Sequence, residues 1–177
     1  RLGTGELSPQ LFPQDMLADV FRALPAKISS LNYLEARGLS ELRESLVQRL
    51  ASRGINVKPS NILITSGSLQ ALQLISVGML KPGAQVYTET PTYLKSLQVF
   101  QSAGISFTGI AMDKSGLVPW KIGKVPSGSL LYTIPTYQNP TTLVMTAARR
   151  KEVFDFCSKY RLPILEDDAY GELHFDE

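Results

Sequence analysis

The chain has 177 residues, 44% of them hydrophobic, which is enough to bury a core of its own. Its 18 basic and 16 acidic residues leave a net charge of +2 without a long run of one sign, which argues against a nucleic-acid or membrane-surface reader in this stretch. A single cysteine, Cys157, excludes an internal disulfide, and no apolar run reaches membrane-spanning length or resembles a secretory signal, so a cytoplasmic setting is expected.

The first thirty or so residues, with Pro9, Pro13 and Pro25, read as an arm rather than as sheet. Apolar residues at 39, 42, 46, 47 and 50 then recur at helical spacing, and Gly54 is placed to stop that helix in the left-handed conformation. A short β-rich run at 62–65 is broken by Gly67. Leu69, Leu72, Ile75 and Met79 lie on one face of a helix predicted over 68–80, which Lys81-Pro82-Gly83 ends. A strand at 85–89, a helix at about 93–103 closed by Gly104, and strands at 105–111 and 130–134 follow. Thr146 is placed to cap a helix running to Tyr160, with Val153, Phe154, Phe156 and Cys157 as its apolar face, and 163–166 enters a last strand. Cys157 reads as a buried small hydrophobe and Arg149-Arg150-Lys151 as a solvated helix face.

Strands alternating with helices predict an α/β fold with a doubly wound, mostly parallel sheet and right-handed crossovers. In such sheets ligands sit outside the carboxyl ends of the strands. Three segments fall there. Ser66-Gly67-Ser68 would offer backbone amides and hydroxyls at a helix start, where the dipole favours a phosphate. Asn139 precedes Pro140 in a stiff loop. Asp167-Asp168-Ala169-Tyr170 ends the last strand with a carboxylate that can hold a proton on a pyridine nitrogen. An amide from Asn139 and a phenol from Tyr170 suit an anionic phenolic oxygen, and Tyr93, in Thr90-Pro91-Thr92-Tyr93, suits a ring face.

Together these are the demands of pyridoxal 5'-phosphate. Each segment alone also reads as ordinary structure: Ser-Gly-Ser as turn and cap, Asp167 or Asp168 as a turn cap, Asn-Pro as a turn, and Tyr93 and Tyr170 as packed aromatics. The lone histidine, His174, and the lone cysteine give no metal-ligand set.

In order and spacing, Tyr33-Leu34 with Gly38-Leu39, Ser66-Gly67-Ser68, Tyr93, Asn139-Pro140-Thr141 and Asp167-Asp168-Ala169-Tyr170 resemble the class I aminotransferases of fold type I. The resemblance implies that Gly67, Ser68 and Leu69 line the phosphate, Tyr93 stacks on the ring, Asn139 and Tyr170 bond the phenolic oxygen, and Asp167 pairs with the ring nitrogen. It also implies a homodimer in which Tyr33 reaches the neighbouring subunit's phosphate. Gly5-Glu6-Leu7-Ser8-Pro9, Leu11-Phe12-Pro13 and Thr65-Ser66-Gly67-Ser68-Leu69-Gln70-Ala71-Leu72 are similar to the aminotransferase-like domain of MocR-type regulators in the GntR group. That family places a winged-helix DNA-binding domain ahead of such an effector sensor, so DNA would be met only through a domain outside this chain.

These features lead to an expected arm over 1–35 and a partial cofactor-binding large domain over 36–177. Family members usually carry Asn-Pro-Thr-Gly where this chain has Asn139-Pro140-Thr141-Thr142, and threonine resists the positive φ that glycine accepts. The resemblance puts the lysine that carries the cofactor as a Schiff base, and the arginines for phosphate and substrate carboxylate, beyond Glu177. The piece is therefore expected to be inactive alone, with an amino acid or related effector as its small-molecule ligand. The alternatives are a fragment of an amino acid aminotransferase, or an α/β domain that binds no cofactor.

Overall fold

Val86 and Tyr87 are neighbours in sequence but bury their side chains on opposite faces of one sheet, and this period-two alternation sets the architecture. The computed structural model describes residues 8–26, 28, 33–81 and 83–173. They divide into two compact units, Arg1–Ile64 and Thr65–Glu177.

In the second unit, β1 (Gln85–Thr90), β2 (Ser106–Asp113), β3 (Gly116–Leu117), β4 (Leu130–Thr133) and β5 (Ile164–Glu166) form a five-stranded sheet in the order β3-β2-β1-β4-β5. The β1-β2, β1-β4 and β4-β5 pairs are parallel, and only the short β3 runs antiparallel, on β2. One face carries Leu72, Val86, Phe100, Ile105, Leu130, Tyr132 and Ile134, covered by α3 (Ser68–Gly78) and α4 (Leu94–Ser102). The other carries Tyr87, Ile110, Leu131, Met145, Val153 and Cys157, covered by α5 (Ala147–Tyr160). Helices on both faces of a mostly parallel sheet make the doubly wound α/β arrangement that the alternating pattern predicts.

Local chemistry explains the helix ends. Thr146 caps α5, its hydroxyl accepting the Arg149 N–H at 3.3 Å. Gly104, at φ 71°, follows α4. The other end of α5 departs from the glycine rule, because Arg161 itself takes the left-handed conformation at φ 52°.

Two expectations for α5 need correction. Its buried face is Arg149, Val153 and Cys157, one residue per turn, whereas Phe154 is 63% exposed. The basic run is not a uniformly solvated face. Arg149 is 6% exposed, donating to the carbonyls of Gly116 and Leu117 and to Asp113 and Glu152, with its guanidinium over Trp120. Only Lys151 behaves as expected, exposed and paired with Asp155. A planar, five-donor cation can be buried where a hairpin offers carbonyls, and the charge pattern alone does not reveal that.

The first unit contains α1 (Gln14–Ala23) and α2 (Ser40–Ser52). As expected, α2 is followed by Gly54 at φ 79°. Arg43 of α2 is buried and donates to the carbonyls of Gly38 and Pro59 and to Glu35, cross-linking the unit. The strand expected at 62–65 does not form. The backbone at Ile62 is extended, and Ile64 gives a single N–H to the Arg37 carbonyl, but no described strand lies alongside to build a ladder.

Candidate functional site

Parallel pairing brings the carboxyl ends of β1, β4 and β5 to one edge of the sheet, and the segments that follow them hold Tyr93, Asn139 and Asp167. Helix α3 leads through a short turn into the start of β1, so it runs back along the sheet. Its 11 residues span about 16 Å, comparable to the roughly 20 Å of a six-residue strand, so Gly67 and Ser68 lie at the same edge.

The start of α3 is open. Gly67 sits at φ 90° and ψ 168°, a region essentially restricted to glycine, and no side chain caps the first turn. The Ser66 N–H is taken by Gln70 Oε1 and the Thr65 hydroxyl by the Gly67 carbonyl, while the amides after Gly67 point out of the helix end. Ser68 and Leu69 are exposed there.

Asp167 is fixed from two sides. Its N–H donates to the Thr133 carbonyl at 2.9 Å, extending the β4-β5 ladder by one bond, and its Oδ2 accepts the Tyr132 phenol at 2.7 Å. Tyr132 is fully buried, edge-to-face with Phe100 at 5.7 Å between centroids. Burial first, and then the nearby Asp167 and Glu89 carboxylates, push its hydroxyl far above the usual tyrosine range, so it is a permanent donor. Asp168 turns back toward Gly171, where an added Cβ would lie 2.1 Å from its Oδ1. Tyr170 is half-buried just beyond.

Asn139 stands in a loop closed on itself, with a cis bond to Pro140. Gln138 donates its N–H to Leu143, and its fully buried side chain donates to the Pro91 carbonyl while accepting from Thr141 N and Oγ1. The loop of Asn139 is thereby tied to the turn that carries Tyr93. Arg150 braces the far side through the Pro135 carbonyl and Thr136 hydroxyl. Thr142, where the resemblance leads one to expect glycine, nevertheless adopts φ 62°. The turn keeps the glycine shape without the glycine.

Behind this edge lies Glu89, 1% exposed, which accepts from Thr133 Oγ1 and from Ile134 N at 3.0 Å. Burial raises its pKa, opposed by those donors and by Gln138, with the charge of Asp167 adding to the rise. The hydroxyls of Thr88 and Thr92 are also buried here, without partners among the described residues.

Tyr132, Glu89 and Gln138 are missing from the expected site. Two of them left a sequence signal: a tyrosine within a buried strand needs a partner for its hydroxyl, and an acid near the end of a buried strand needs donors. Tyr33 lies in the first unit, with its side chain fully exposed. His174 falls outside the described residues. Among the described residues no group of three or more His, Cys, Asp or Glu could hold a metal ion, and no helix is long and apolar enough to cross a membrane.

Comparison with known proteins agrees with this geometry. The chain is 49% identical to the HTH-type transcriptional regulator YisV of Bacillus subtilis, matching all of this chain and 37% of YisV. It is 33% identical to aromatic-amino-acid aminotransferase 1 of Thermococcus litoralis, over 98% of this chain and 44% of that enzyme. Among solved structures, an archaeal alanine:glyoxylate aminotransferase superposes with a TM-score of 0.84 at 34% identity, covering 93% of this chain and 43% of that one. LysN, the α-aminoadipate aminotransferase of Thermus thermophilus, complexed with N-(5'-phosphopyridoxyl)-L-leucine, gives 0.83 at 30% identity, over 98% and 44%. The chain thus spans less than half the length of these relatives and carries part of the fold type I transferase architecture. The model of the family "Aminotransferase class I and II" matches residues 2–177, and the chain belongs to that family.

Proposed function

We propose that this chain is most of the cofactor-binding region of a pyridoxal phosphate-dependent, aminotransferase-like effector domain in a MocR-type transcriptional regulator. The observation that carries the cofactor assignment is the edge at which Asp167, anchored by Tyr132, lies with the uncapped start of α3 and the loop of Asn139.

The donor set fits the group. Amides of Gly67, Ser68 and Leu69 would take the phosphate, the ring of Tyr93 would lie on the pyridine face, and Asn139 and Tyr170 would donate to the phenolic oxygen. Asp167 has Oδ2 engaged by Tyr132, and no hydrogen bond among the described residues engages Oδ1, which leaves that oxygen to hold a proton on the ring nitrogen. When bound, the cofactor supplies an electron sink for the pair released as a bond to an amino acid's α-carbon breaks. The protein's part is to orient the ring and keep its nitrogen protonated. Residues 1–35 serve in this reading as an arm and 36–177 as the large domain, in a cytoplasmic homodimer where Tyr33 reaches the partner's phosphate and the ligand is an amino acid or related effector.

The higher identity to YisV than to the Thermococcus aminotransferase favours the regulator. A second reading, part of an amino acid aminotransferase, is supported by the match to that enzyme and to LysN. The intact protein decides between them. A regulator should take up pyridoxal phosphate with a visible absorbance band that Asp167→Ala weakens, and should shift a promoter fragment from its own operon in a gel. Steady transamination of amino acids without DNA binding would establish the enzyme. No uptake of the cofactor by the intact protein would defeat both.

A further inference from the structure

We propose that Glu89 is a positioning residue for the cofactor site, a buried clamp that sets the spacing between the Asn139 loop, the Tyr93 turn and Asp167. The inference rests on the pyridoxal phosphate reading above.

Three strands of geometry meet at Glu89. It is the penultimate residue of β1 and lies beside Thr133 of β4, since the register pairs Thr88 with Tyr132. Its Oε1 accepts both the Thr133 hydroxyl and the Ile134 N–H, and Oε2 lies 3.2 Å from the same N–H. This clamps the point where β4 leaves the sheet and the loop toward Asn139 begins. Thr133, held by its side chain to Glu89, offers its carbonyl to the Asp167 N–H. A shift of Thr133 therefore carries Asp167 with it. Gln138, next to Asn139, completes the clamp by reaching the carbonyl of Pro91, the first residue after β1.

An acid is a costly choice for packing alone. A carboxyl group that is 1% exposed must have donors, and a neutral apolar side chain would fill the same space without that demand. What the acid adds is two lone-pair-bearing oxygens that can grip a hydroxyl and a backbone N–H together. A carboxamide keeps one such oxygen, and its NH2 replaces a second acceptor. Burial raises the pKa of Glu89, with the Asp167 carboxylate adding to the rise. What the clamp asks of Glu89 is an acceptor oxygen facing Thr133 and Ile134, which a carboxamide also supplies.

The test uses the intact protein and titrates pyridoxal phosphate, with cofactor absorbance and visible-region circular dichroism as readouts. Glu89→Ala should weaken cofactor affinity about tenfold or more and alter the visible dichroic band, because the buried donors it leaves lose their partner and the loop shifts. Glu89→Gln should restore affinity to within about threefold, since its Oε1 can accept from Thr133 or Ile134. Val153→Ala, in the core under α5 and without a hydrogen bond to the clamp, controls for general destabilisation: it should lower the melting temperature with affinity within about twofold of wild type. Wild-type affinity and dichroism in Glu89→Ala would overturn the inference alone. Equal losses in Glu89→Gln and Glu89→Ala would also overturn it, by showing that charge rather than the clamp matters. Should Glu89→Ala not fold, Thr133→Val, which removes the hydroxyl held by Glu89 while keeping the shape, must reproduce the dichroic change or the inference fails. A wild-type protein that takes up no cofactor would remove the cofactor reading and this inference together.

Discussion

The phenol of Tyr132 donates to Oδ2 of Asp167 at 2.7 Å, from a side chain with no solvent exposure. The bond crosses from β4 to the residue just past β5, on the face where Tyr132 also meets Phe100. It holds the one carboxylate expected to face the cofactor's ring nitrogen. Tyr132→Phe keeps the ring packing and deletes only the donor, so it should cost about 1–2 kcal/mol in urea unfolding. It should also weaken pyridoxal phosphate binding severalfold in an absorbance titration. An unchanged affinity would mean that Asp167 is held in place by its backbone alone.

Glu89 gives the fold a pH dependence whose sign follows from its surroundings. Burial raises its pKa above the ordinary 4.5, with Asp167 contributing in the same direction. From about the ordinary value up to the raised one, the folded state keeps a proton that the unfolded chain has released, so stability falls as pH rises through that window. Below the unfolded value the contribution is present in full. Glu89→Gln does not titrate. The stability of wild type relative to Glu89→Gln should therefore decline as pH rises from about 4.5, in urea unfolding followed by circular dichroism. A difference that is flat or rises with pH would show that Glu89 is ionised in the fold.

Thr142 occupies the left-handed region at φ 62°, where the Asn139 loop turns back. Its N–H donates to the Gln138 carbonyl and its hydroxyl to the Thr141 carbonyl, so the surrounding bonds hold the conformation against the preference of a β-branched side chain. A non-glycine residue in this region costs about 1–2 kcal/mol, and glycine's greater freedom in the unfolded chain offsets about 0.5–1 of it. Thr142→Gly should thus gain up to about 1 kcal/mol in the denaturant midpoint, with cofactor affinity retained. A loss of stability would mean that the threonine hydroxyl contributes more than the strain it carries.

The helices and the paired strands are legible because period and punctuation survive in the sequence: Gly54 and Gly104 follow α2 and α4, and Thr146 caps α5. Residues at the strand ends were legible because parallel topology fixes which edge they share. What was not legible depends on partners distant along the chain. Arg149 looked like part of a basic surface run, and only the β2-β3 hairpin, with its carbonyls of Gly116 and Leu117, makes it a buried residue. The segment at 62–65 had strand composition, but a ladder needs a neighbour, and composition does not report one. Tyr132 and Glu89 were hidden in strand patterns that count them as core, because their function lies in which donor or acceptor the fold brings to them.

The two end glycines of α3 separate backbone geometry from helix propensity. Gly67 lies at φ 90° and ψ 168°, and an added Cβ would meet nothing within 4 Å, so Gly67→Ala is opposed by backbone conformation and not by a clash. That strain is about 1–3 kcal/mol, and relieving it means rotating the peptide that aims the first amides of α3. Gly78, the last residue of the same helix, also has open space around it but has ordinary backbone angles. Gly78→Ala should therefore stabilise by about 0.5–1 kcal/mol and leave the site alone. If the α3 start cradles a phosphate, Gly67→Ala must weaken both pyridoxal phosphate binding and competition by inorganic phosphate, whereas Gly78→Ala must weaken neither. Parallel behaviour of the two variants in the binding titration would show that the helix start is an ordinary turn, with the anion held elsewhere.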